Sequence, residues 1–89
     1  MIDLEMTCEE FNKKWAQYLE PGFYGLVISD AGVIEYLDEE FSAEVLENPA
    51  FTYAQIKLKF GRARVYAESE KTSVWEDKIN SLVAAGDKG

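Results

Sequence analysis

Residues 53–68 read Tyr53-Ala54-Gln55-Ile56-Lys57-Leu58-Lys59-Phe60-Gly61-Arg62-Ala63-Arg64-Val65-Tyr66-Ala67-Glu68, and the fold follows from how that stretch divides. Ile56, Leu58 and Phe60 alternate with Gln55, Lys57 and Lys59, the period of two expected of a strand with one buried face. Gly61 stands where the alternation breaks. A two-residue loop at Gly61-Arg62 predicts a type II′ hairpin, whose first central position favours glycine. In that register Phe60 faces Ala63, Leu58 faces Val65 and Ile56 faces Ala67 on the apolar side. The opposite side then carries Lys59 beside Arg64, Lys57 beside Tyr66 and Gln55 beside Glu68.

Three helical patterns and one short apolar run surround this hairpin. Thr7-Cys8-Glu9-Glu10 is a capping box, with Met6 and Phe11 at staple positions. Phe11, Trp15, Tyr18 and Leu19 then recur at helical spacing up to Pro21-Gly22. Phe23 to Ile28 reads as a buried strand, although Gly25 weakens it. Asp30 caps a second helix whose inner stripe is Val33, Ile34, Leu37, Phe41 and Val45, closed by Asn48-Pro49. Its other face carries Glu35, Asp38, Glu39, Glu40, Glu44 and Glu47, all expected in water. Ser73-Val74-Trp75-Glu76 is a second capping box; Trp75, Ile79, Leu82 and Val83 form the last stripe, and Gly86 stops it. The order α-β-α-β-β-α predicts a small α/β (α+β) two-layer sandwich with a three-stranded sheet, its apolar face covered by helices. A single domain over 1–86 and a flexible tail at 87–89 are expected.

At 89 residues and 10.1 kDa there is room for one core, and 47% apolar residues are enough to build it. The chain has no histidine, which removes the commonest general base and metal ligand. Cys8 is the one cysteine, so it forms no disulfide within the chain, and no zinc site with several thiolates can be assembled. No metal and no cofactor are expected. A calcium loop is not expected either, because the spaced Asp/Asn residues and turn glycine of an EF-hand are lacking. The start, MIDLEMTCEE, has no basic n-region or apolar h-region, and no stretch reaches the ~20 apolar residues of a membrane span. Cytoplasmic localisation, with no membrane partner, is the expectation.

Residues 55–66 resemble a segment of small uncharacterised bacterial and phage-associated proteins in which a Q-I-K-E-K-F-G-x-L-R-F-Y pattern recurs between two helices. Here Leu58 replaces the acid, Ala63 the leucine and Val65 the phenylalanine. The resemblance implies a bacterial or phage origin and carries no activity with it.

Charge is unevenly spread. Residues 57–64 hold Lys57, Lys59, Arg62 and Arg64 with no acid, whereas residues 1–56 hold twelve acids and two lysines within an overall charge of −8. Two surfaces are therefore candidates. The first is the acidic helix, where Glu35, Asp38, Glu39, Glu40 and Glu44 could mimic the charge spacing of nucleic acid and occupy a cationic groove on another protein. The second is the basic hairpin, where Lys57, Lys59, Arg62, Arg64 and Tyr66 could hold RNA or a nucleotide phosphate. The overall acidity favours the first, a non-enzymatic interaction or inhibitor protein of phage or prophage type with a protein partner. On that expectation, reversing Asp38, Glu39 and Glu40 to Lys abolishes partner capture and leaves the fold intact. The exposed hairpin edge leaves a homodimer open. Paired-carboxylate glycoside chemistry needs a desolvated pair in a cleft, for which so small a sandwich leaves little room. Cys8 has no base beside it in the sequence and is expected to be core packing.

Overall fold

In the computed structural model, which describes residues 6–86, Thr7 opens the first helix as its sequence predicts. The Thr7 hydroxyl accepts from the Glu10 amide at 3.1 Å, and the Glu10 carboxylate accepts from the Thr7 amide at 3.0 Å. This helix, α1 (Cys8–Lys14), is shorter than its apolar stripe. After Trp15 the chain tightens into a 3-10 turn at Ala16–Tyr18 and is extended at Leu19, which bridges to Tyr53. The turn still brings Trp15 and Tyr18 together, their ring centroids 5.4 Å apart.

Of the expected strand at 23–28, only Gly25–Leu26 pairs as β1. Leu26 and Ile28 are buried while Phe23, Tyr24 and Val27 are exposed, so the run has one buried side rather than two. Gly25 does more than weaken the strand. Its φ of +83° is a region side chains avoid, and a Cβ there would collide with the Asn12 side chain.

The longest helix, α2 (Ala31–Glu47), starts where Asp30 accepts from the amides of Gly32 and Val33 at 2.9 and 3.2 Å. Phe41 is the hub of its inner stripe. The rings of Phe11, Trp15, Phe51, Tyr53 and Trp75 lie 4.9 to 5.5 Å from it, so one aromatic side chain ties together all three helices and the sheet. Phe51, fully buried just beyond Asn48-Pro49, is a core residue that periodicity did not mark.

The hairpin comprises β2 (Tyr53–Lys59) and β3 (Arg62–Ala67), but the loop is Phe60-Gly61, one residue earlier than expected. Both loop residues have positive φ, 57° and 78°, the pattern of a type I′ turn, whose twist matches that of the strands. Ile56 therefore faces Val65, Leu58 faces Ala63, Lys57 faces Arg64 and Lys59 faces Arg62. Tyr53 and Ile56 both point inward although three residues apart, which a regular strand cannot do. The register shift between Tyr53 and Gln55 absorbs the extra residue. Strand order is β1-β2-β3, with β1 parallel and β3 antiparallel to β2.

The last helix, α3 (Thr72–Gly86), begins one residue before the expected cap. Glu76 does not close a capping box: its carboxylate accepts from the Val65 amide of β3 at 2.9 Å. The elements are those the sequence predicts, an α+β globule with a mixed three-stranded sheet. Residues 1–5 and the tail expected at 87–89 lie outside the described residues. Among those described, no helix is long and apolar enough to cross a membrane.

Candidate functional site

The sheet presents Leu26, Ile56, Ala63 and Val65 to the helices, each at most 5% exposed. Pleating sends the alternate residues to the other side. Lys57 there is half-buried, and Lys59, Arg62, Arg64, Tyr66 and Val27 are exposed, so no described element covers this side. The corrected register makes it more strongly basic than expected, because the four cations form two directly opposed pairs, Lys57 with Arg64 and Lys59 with Arg62. Directly opposed residues have Cβ atoms about 4.5–5.5 Å apart, and like charges at that spacing destabilise the sheet. None of the four forms an ion pair among the described residues; the acids pair with Lys14 and Lys71 instead. Gln55 lies opposite Tyr66, which is 46% exposed, so an aromatic ring borders the cationic ladder.

The acidic helix behaves differently. Asp38 accepts from the Trp15 indole N–H at 3.0 Å and from the Lys14 ammonium at 2.8 Å. Glu40 accepts from the Trp75 indole at 3.0 Å. Glu44 is not in water as expected: it is 6% exposed, with the Lys71 ammonium 3.5 Å from Oε1. That oxygen has no hydrogen-bond partner among the described residues. Lys71 also reaches Glu47 at 3.6 Å, and chiefly through Glu47 its pKa is raised. Of the five candidate carboxylates, Glu35 and Glu39 alone are exposed and unengaged among the described residues. Reversing Asp38 and Glu40 to Lys would remove the acceptors of two buried indoles, so the expectation of an intact fold is corrected. The signal was partly present, since Val33, Leu37, Glu40 and Glu44 follow the i, i+4, i+7, i+11 spacing of a helix seam.

Side chains from the flanking helices close both edges of the sheet. Asn12 of α1 accepts from the Leu26 amide at 2.7 Å through Oδ1 and donates to the Leu26 carbonyl at 3.0 Å through Nδ2. On the far edge the Ala63 amide donates to Asn80 at 2.7 Å, and the Val65 amide to Glu76. Self-pairing along β3 would have to displace both caps. Cys8 lies against the Leu26 carbonyl, and burial raises its pKa, keeping the thiol protonated. Burial likewise pushes the Tyr53 hydroxyl, which donates to Asn12 at 3.3 Å, far above the usual phenol range.

Among the described residues no group of three or more acidic or sulfur ligands is placed to hold a metal. An open groove at the end of α2 is lined by Glu44, Glu47, Glu68, Glu70 and Lys71, of which Lys71 pairs with Glu44 and Glu47. No family model matches the chain, and no curated protein or solved structure is significantly similar to it.

Proposed function

We propose that this chain is a non-enzymatic binding module and that the uncovered face of its sheet takes a single-stranded nucleic acid. One observation carries the proposal: two like-charged pairs, Lys57–Arg64 and Lys59–Arg62, stand opposed on an exposed sheet face, and none of the four forms a salt bridge among the described residues. That arrangement costs the free protein stability, and an anion lying between the strands returns it. Successive cations on one side of a strand are about 7 Å apart, twice the ~3.4 Å rise, and a phosphodiester chain offers a row of anions to such a ladder. Tyr66 supplies a face on which a base can stack.

The overall charge of −8 weakens binding without abolishing it. Charges separated by more than the ~8–10 Å Debye length are largely screened at physiological salt, so the local face decides the contact. An inhibitor acting through the acidic helix has less support, because Asp38, Glu40 and Glu44 are committed inside the molecule. In the bacterial or phage setting that the resemblance implies, the module would hold single-stranded RNA or DNA.

The test is fluorescence anisotropy with a labelled oligothymidylate across a salt series. Four phosphate contacts give a log–log slope of about −3, from ~0.7 per contact on single strands. Lys57→Ala and Arg64→Ala each lower the slope by about 0.7. Absence of binding at low salt overturns the proposal.

A further inference from the structure

Phe60 occupies a position that the fold alone does not explain. It is the first central residue of the hairpin loop, with φ 57°, in the left-handed region that a bulky side chain enters only at a cost. Asn or Asp would meet the same turn with less strain. The ring recovers nothing by burial either, since Phe60 is 92% exposed, the most exposed large apolar residue among those described. Backbone strain and apolar exposure thus fall on one residue, at the end of the cationic ladder. The Lys59 ammonium lies 5.9 Å from the Phe60 ring centroid, and Lys59 and Arg62 flank the loop. Leu58, 40% exposed, extends the apolar surface at this end of the hairpin.

Resting on the single-strand reading above, we infer that Phe60 is a stacking residue: it takes the face of one nucleobase while Lys59 and Arg62 hold the phosphates on either side of it. The occupant follows from the combination of groups. A flat apolar ring beside two unpaired cations complements a ligand that alternates a flat apolar face with an anion, and each nucleotide is such a unit. Tyr66, at the other end of the ladder, gives the strand a second stacking point, so the two rings fix its path along β3.

The test compares wild type with Phe60→Asn and Phe60→Trp on a labelled oligothymidylate and on an abasic strand of the same length. Phe60→Asn keeps the fold, and its melting temperature rises because Asn-Gly suits the turn. It weakens oligothymidylate binding by roughly 5- to 150-fold, the range for losing one stacked base. The loss is the same at every salt concentration, since no phosphate contact is removed, and the abasic strand does not distinguish the two proteins. Phe60→Trp restores affinity, and the new indole's emission changes on binding. If Phe60→Asn binds oligothymidylate like wild type, or loses equally on the abasic strand, the stacking role is overturned while the cationic platform stands. A Phe60-dependent preference for phosphatidylserine vesicles over the oligonucleotide, or for a poly-glutamate peptide, also overturns it. If wild type binds no oligonucleotide at all, the platform itself fails, and that result is distinct from the others.

Discussion

Asn12 pairs with Leu26 as though it were a further strand: its carboxamide meets both the amide and the carbonyl of one residue, at 2.7 and 3.0 Å. A sheet edge that ends on a side chain offers no template for another chain. Asn12→Leu leaves the Leu26 amide and the Tyr53 hydroxyl without partners, and the Leu26 carbonyl with the weak Cys8 thiol donor alone. At ~1–3 kcal/mol for each group left unsatisfied in a buried setting, the expected loss is about 2–4 kcal/mol, since the site is only partly buried. Urea unfolding measures it, and Asn12→Asp, which keeps the acceptor and loses the donor, falls between Leu and wild type.

The far edge makes a complementary case. Glu76 and Asn80 cap the amides of Val65 and Ala63, so the double change to Ala uncovers a strand edge. Light scattering should show concentration-dependent association of the double variant and none along this edge for the wild type. A double variant with unchanged mass at high concentration would mean that the caps do not control pairing.

Opposed cations should make the free protein less stable than it need be. Arg64→Glu converts the pair with Lys57 into an ion pair, and a cross-strand change of this kind is worth about 0.2–1 kcal/mol. The variant is expected to melt higher and to bind nucleic acid far more weakly. Thermal denaturation and anisotropy on the same samples check both signs at once.

Stability should fall on the alkaline side. Cys8, Tyr53 and Lys71 all have pKa values raised above their ordinary 9.0, 10.0 and 10.5, the first two chiefly by burial and the third chiefly by Glu47. The folded chain therefore keeps protons that the unfolded chain loses. Full stability is present below about pH 9 and declines as pH rises through the folded values. Melting temperature followed into the alkaline range should fall from that point, and Tyr53→Phe should remove the Tyr53 part of the slope, leaving that of Tyr36, whose pKa burial also raises.

The elements were legible in the sequence because Thr7, Asp30, Gly61 and the apolar stripes act locally. The loop position was not. With the turn at 60-61 or at 61-62, the same residues face inward apart from Phe60, so alternation does not separate the two registers. Yet the difference moves Phe60 from the core to the tip and turns a partial basic face into two opposed pairs. The acidic helix was misread for another reason. Asp38 and Glu40 are held by the indoles of Trp15, just after α1, and Trp75 of α3, 23 and 35 residues away in sequence, and no local spacing announces such partners. Glu40 and Glu44 did carry a signal, since they lie three and seven residues after Leu37 on the buried seam.

A ¹⁵N-resolved NMR titration with oligothymidylate at low salt reports, residue by residue, where the strand lies on the protein. Amide shifts concentrated at residues 55–66, with Lys57, Lys59, Arg62, Arg64 and Tyr66 foremost and α2 unmoved, are the predicted result. Shifts centred on Glu35 and Glu39 of α2, or a spectrum unchanged at saturating oligonucleotide, would contradict it.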